Sequence, residues 1–198
     1  MKYILPIAAV VLTMCFVSIP LVWSDGSFQR NEHDDYEDHG EYKYKKLERR
    51  FTGVAMLENP LYIEECGSCH MAYPAGLLPA VSWEKIMQGL DEHFGDNAEL
   101  DEESNQQITN FLQKNSSDNA HYRRSKQFTD ESSMQNAQIR ITASRYFMHE
   151  HDDIPDRLVS GNQQVKSFSH CNACHLKAEQ SMFNEHDIKI PRYGGWDD

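Results

Sequence analysis

Cysteine is scarce in this chain. Five are present among 198 residues: Cys15 near the start, and four gathered in the stretches ECGSCH (65–70) and HCNACH (170–175). After residue 24 no cysteine stands outside those two stretches, so none is left over for a separate disulfide framework. Basic charge is also short. Nineteen lysines and arginines face 31 acidic residues, for a net charge of −12. Phosphate binding needs a basic surface, which argues against nucleic acid as a partner. Apolar residues, at 39%, are slightly few for a packed domain of this length. Either part of the chain does not pack, or something other than side chains fills the core. Strand signals are few as well, so the expected fold class is all-α, in two small lobes.

One long apolar run is present. Lys2 is followed by YILPIAAVVLTMCFVSIPLVW, with no charge until Asp25. Residues 1–24 read as a signal peptide, with Val22 and Ser24 permitting cleavage, or as an uncleaved membrane anchor of near-spanning length. Either reading exports the remainder. Residues 25–50 read as a charged, flexible tether, acidic in NEHDDYEDHGEY and basic in KYKKLERR, without apolar periodicity. His33, Asp34, Asp35, Asp38 and His39 could hold a divalent metal there, but a solvated spacer is the expectation.

The first lobe is expected over 51–118 and the second over 119–198, with KNSSDNA (114–120) at the boundary. Pro60 suits the first position of a short helix leading into the first motif. MAYPAGLLPAV (71–81) reads as a loop. Ser82 can cap a helix from Trp83 to about His93 or Phe94, which Gly95 would end. Asp101 can start another, with Ile108, Phe111 and Leu112 on its apolar face. Thr142 can cap a helix ending before Pro155, and a last helix is expected to carry the second motif as far as about Phe183.

Each motif has the form C-x-x-C-H, the pattern of c-type haem attachment. Cys66 with Cys69, and Cys171 with Cys174, can each form thioethers to the two vinyl groups of one haem. His70 and His175 then fall beneath the irons as proximal ligands. A zinc site built from all four cysteines leaves both histidines without a shared role. A redox dithiol pair or two structural disulfides are the other plain readings. Two covalent haems also account for the modest apolar content, because buried porphyrins supply core.

Function turns on the sixth ligand to each iron, since a second strong ligand leaves electron transfer and an open position admits oxygen or peroxide. On a helix, His93 shares its face with Ile86, Gly89 and Leu90, and the glycine lets a porphyrin edge come close. Met87 is its main rival. For the second iron, His151 shares an apolar face with Phe147 and Met148, whereas His149 is flanked by Arg145 and Asp153. His186, Met182 and Met148 remain rivals to His151. His121 lies in a polar stretch, and His170 is too near Cys171 to reach around the ring. Arg140, Arg145, Lys189 and Arg192 are candidates to pair with haem propionates.

ECGSCHMAYPAGLLP, LDEHFG, HDDIP and CNACH followed by IPR, in that order, resemble the bacterial diheme cytochromes c of the periplasm, over about residues 55–198. The resemblance implies two bis-histidine haems, His70 with His93 and His175 with His151, and electron transfer rather than catalysis. It further implies partners such as a membrane b-type cytochrome or a small oxygen-binding haem protein. A peroxidase-like enzyme and a gas-binding or gas-sensing protein are the alternatives, and each needs an open iron.

The motifs predict two covalent haems per chain that survive acid extraction, counted by a pyridine haemochrome assay. Cys69→Ser and Cys174→Ser should each weaken attachment at one site only. A single haem, or zinc in place of iron, contradicts this reading.

Overall fold

The computed structural model describes residues 53–54 and 59–196. The expected leader and tether lie outside them. The described fold is mostly helical, in short pieces, with little strand, in agreement with the all-α expectation. Helix α1 spans Pro60–Cys66. Asn59 caps it by accepting from the Tyr62 N–H at 3.0 Å, and Pro60 takes the first position as expected. Gly67 ends it, and a Cβ there would collide with the Ile63 carbonyl. The turn inside the first motif therefore tolerates only glycine comfortably.

Helix α2 spans Ala80–Gln88, starting earlier and ending sooner than expected. Ser82 lies buried inside it rather than at its cap. The Pro79 carbonyl accepts from Ser82 and Trp83, while the Ala80 N–H is satisfied from far along the chain by Asp118 Oδ1 at 2.9 Å. At the other end Gly89 leaves the helical region, with φ −123° and ψ 35°. A single 3₁₀ turn, Leu90–Glu92, follows, and the Ala98 N–H donates back to the Leu90 carbonyl at 2.8 Å. His93 thus stands on a loop and not on a helix face.

Helix α3, Glu102–Lys114, is capped by Asp101, which accepts from the Ser104 N–H at 3.0 Å. It buries Ile108 and Leu112 and leaves Phe111 half-buried. Helices α2 and α3 pack on each other, and Trp83, Met87, Leu90, Ile108 and Leu112 meet Tyr62, Ala72, Ala75 and Leu78 in one apolar cluster. The Trp83 indole N–H is satisfied there by the Ala75 carbonyl at 2.7 Å. Ser116 and Ser117, in the segment expected to form the lobe boundary, are fully buried, and the Ser117 N–H donates to the Leu78 carbonyl at 2.9 Å.

Helices α4 (Arg123–Gln127), α5 (Glu131–Asn136) and α6 (Arg145–Glu150) follow. Ser144, not Thr142, caps α6 by accepting from the Phe147 N–H, because Thr142 is taken up in a preceding 3₁₀ turn, Ile141–Ala143. The helix stops at Glu150, well short of Pro155. A second apolar cluster joins Val54 and Leu77 to Phe128 and Phe147. Gly76 makes this contact possible, since a Cβ at that position would strike Ser125 Oγ on α4. Helix α7 is only Cys171–Cys174. The long helix expected to reach Phe183 does not form, because the backbone leaves the helical region at His175 and bridges to Ile188 instead. A two-residue antiparallel pair, β1 (Lys189–Ile190) and β2 (Gly194–Gly195), completes that end.

Ile108 has no exposure and sits at the centre of the α2–α3 contact. Ile108→Ala is expected to cost about 2–5 kcal/mol of unfolding free energy, read from the denaturant midpoint. A change below about 1 kcal/mol contradicts the packing described.

Candidate functional site

The first motif closes off α1. Cys66 is half-buried at the helix end, Cys69 is exposed on the turn, and His70 follows half-buried. His70 Nδ1 lies 2.8 Å from the Met71 carbonyl. A carbonyl can only accept, so the ring proton is on Nδ1 and the lone pair on Nε2, as in a histidine arranged to bind a metal through Nε2. The His93 ring stands 6.2 Å from the His70 ring, centroid to centroid, with 27° between their planes. An imidazole nitrogen lies about 2 Å from a metal it binds, with its ring centroid a little over an ångström further back. Two rings on opposite sides of one metal atom are therefore roughly 6 Å apart, so the observed pair has that spacing. Burial, and then the neighbouring His70, lower the His93 pKa and favour the neutral ring that ligation requires. Beside it, Phe94 is held at φ 56°, an uncommon value for a bulky residue, with the Arg140 guanidinium 4.3 Å above its ring.

The second motif opens on a cavity of about 330 Å³ whose lining includes Cys171, Cys174, His175 and His151. The His151 and His175 rings are also 6.2 Å apart, but their planes cross at 71°. His151 directly follows α6. Its ring stacks on Phe147 at 3.9 Å and 10°, and its Nδ1 donates to the Phe147 carbonyl at 2.9 Å, which again puts the lone pair on Nε2. Phe168 meets both rings edge-on. Burial is the main cause that lowers the His175 pKa, to about 4, with His151 and Arg124 adding to it. His175 Nδ1 is buried without a hydrogen-bond partner, so the protein's own polar groups do not satisfy this ring.

No disulfide joins any of the four motif cysteines. Burial pushes both Cys66 and Cys171 up to about 11, and Cys174 upward too. A redox dithiol needs a lowered thiol pKa, so these sites lack the condition for that chemistry. Among the described residues no three histidine, cysteine or acidic side chains converge as a metal cluster, which removes the shared zinc arrangement. The residues fit haem instead: two thiols next to each motif histidine in sequence, two imidazoles across a gap of metal size, and, at the second site, an apolar aromatic wall.

Met87 is buried in the α2–α3 cluster, and Met148 and Met182 are 50% and 43% exposed. His121, His170 and His186 are exposed. His149 lines the second cavity but is exposed. Arg140, Arg145, Lys189 and Arg192 are all exposed. Arg124, which sequence reasoning passed over in the polar stretch HYRRSK, lines the cavity and donates from Nη1 to the Phe183 carbonyl at 2.7 Å. No periodicity singled it out, because its helix has only five residues.

A family model described as Dihaem cytochrome c matches residues 62–183. Among solved structures, a diheme cytochrome type c from Shewanella baltica OS155 is 40% identical, covering 72% of this chain and all of its own, with a TM-score of 0.58. A diheme cytochrome c from Rhodobacter sphaeroides is 37% identical over 65% of this chain and all of its own, also with a TM-score of 0.58. None of the curated proteins matches significantly.

The stacking on His151 generates a contrast between neighbours. Phe147→Ala should cost about 3–5 kcal/mol, whereas Met148→Ala, at a half-exposed position, should fall within about 0.5 kcal/mol of the parent. Chemical denaturation of both variants checks this, and equal losses contradict it.

Proposed function

We propose that this chain, which belongs to the dihaem cytochrome c family and carries two covalently bound haem c groups, transfers electrons in the bacterial periplasm between a membrane-associated donor and a redox partner. Haem iron supplies reversible one-electron chemistry between ferric and ferrous states. Cys66 and Cys69 attach one group, and Cys171 and Cys174 the other. His70 and His93 would hold the first iron, as His175 and His151 would hold the second. The observation that carries this reading is the twice-repeated 6.2 Å spacing between imidazole rings, each pair joining a motif histidine to one distant in sequence.

The protein's part is to keep that geometry the same in both oxidation states. The Met71 and Phe147 carbonyls fix the His70 and His151 rings in one tautomer. The Phe147 stack and the edge of Phe168 hold His151 against rotation. With both positions taken, neither iron offers the open site that a peroxidase or gas sensor needs. Two histidines also set a lower potential than a histidine–methionine pair. The net charge of −12 suits a basic partner and a salt-sensitive encounter. A membrane b-type cytochrome and a small oxygen-binding haem protein are the partner classes in view. Residues 1–24 direct export and 25–50 tether the haem domain.

His93→Ala and His151→Ala should each convert one haem to a high-spin, carbon-monoxide-binding state, read from absorption and paramagnetic-resonance spectra. Met87→Ala and His149→Ala should leave both haems low-spin. A fully low-spin His151→Ala protein that loses this state only when His149 is also replaced sinks the single-ligand assignment. The parent should give two distinct low-spin signals, because rings at 27° and at 71° split the iron d orbitals differently.

A further inference from the structure

Tyr73 stands between the two sites. Its ring lies 4.9 Å from that of His70, tilted by 31°. Its hydroxyl donates to the Ser169 carbonyl across 2.8 Å, between residues 96 positions apart. The same carbonyl oxygen is 3.7 Å from the sulfur of Cys171. Taken in order, these contacts run from the histidine of the first motif to the first cysteine of the second. Tyr73 is held firmly in this place. Tyr62 donates its hydroxyl to the Tyr73 carbonyl at 2.7 Å, and the buried Pro74 that follows confines the Tyr73 backbone to extended values. A half-buried tyrosine hydroxyl needs some acceptor, and the one it has belongs to the strand of chain entering the other motif.

We propose that Tyr73 is the bridge for electron exchange between the two haem sites, by way of the His70 ring, the tyrosine ring and hydroxyl, the Ser169 carbonyl and the Cys171 sulfur. This rests on the ligand and attachment assignments made under the proposed function. One electron moves: the site that gives it passes from ferrous to ferric, and the site that receives it from ferric to ferrous. No bond breaks, no proton transfers, and no further reactant enters. Tunnelling falls off more gently through rings, bonds and hydrogen bonds than across open gaps, so a continuous line of contacts dominates over longer jumps.

The test uses the holoprotein reduced by a single electron, in which exchange spectroscopy on paramagnetically shifted haem-methyl resonances reads the rate between sites. Tyr73→Phe keeps the ring against His70 and removes the hydroxyl contact, and should slow the exchange severalfold. Tyr73→Leu removes the ring as well and should slow it further. Thr129→Val deletes a hydrogen bond of the same length, from Thr129 Oγ1 to Ser117 Oγ at 2.8 Å, that lies off the route, and should exchange at the parent rate. Haem content and spin state are measured on every protein. If all retain two low-spin haems and the Tyr73 variants exchange at the parent rate, the bridge is wrong while the ligand assignments stand. If Thr129→Val slows exchange as much as Tyr73→Phe, packing is responsible and the bridge is again wrong. If the parent itself lacks two low-spin haems, the underlying ligand assignments fail.

Discussion

The constraint on which the rest of the structure depends is the gap between two imidazole rings, set twice at 6.2 Å. A gap of that size cannot be made by neighbours on one helix, because residues one turn apart lie on the same face and point the same way. The chain has to leave one element and return from another. That requirement gives a reason for helices that stop early. Helix α2 ends at Gly89 and α6 at Glu150, and in each case the histidine of the pair follows within a few residues, on backbone free to turn.

The surroundings favour the neutral form of His93 and His175 and set the orientation of His70 and His151. Burial lowers the pKa of His93 and His175, and backbone carbonyls hold the Nδ1 protons of His70 and His151. The same burial raises the thiols of Cys66 and Cys171 to about 11, which disfavours a reactive thiolate at either one. A site of this kind suits an apolar, covalently held cofactor better than an exchangeable metal or a reactive thiol. The two sites still differ. The rings of one pair are nearly parallel and those of the other are crossed, and the second pair opens on a cavity walled by Phe147, Phe168 and Phe183.

Much of the local structure was legible in the sequence where a residue acts on its near neighbours. Pro60 begins α1 and Asp101 caps α3 because proline geometry and a carboxylate at an N-terminus work within one turn. The reading of His93 on a helix face illustrates the opposite case. Helical spacing puts Ile86, Gly89 and Leu90 on one face with it, yet Gly89 ends the helix rather than making room for a ring. His93 comes opposite His70 through the turn at 90–92 and the return of Ala98 onto Leu90. Ser82 failed as a cap for a similar reason, since the first N–H of α2 is satisfied by Asp118, 38 residues on. Phe147 was correctly grouped with His151 by spacing, whereas Met148 turned outward, because a six-residue helix offers only one narrow buried face.

By itself, the sequence determined the chemistry of attachment and the class of fold. C-x-x-C-H is a contiguous pattern whose meaning lies in the reach of three side chains over one short turn, and scarce strand signals with short helical runs define an all-α chain. Tertiary structure alone decided what stands across from what. The place of Arg124 in the second cavity, the burial of Ser116 and Ser117, and the hydrogen bond from Tyr73 to Ser169 all depend on residues far apart in the chain. Such pairings follow from how apolar faces pack and where helices end. No local spacing records them, because they depend on the free energy of the whole fold rather than on any one turn of it.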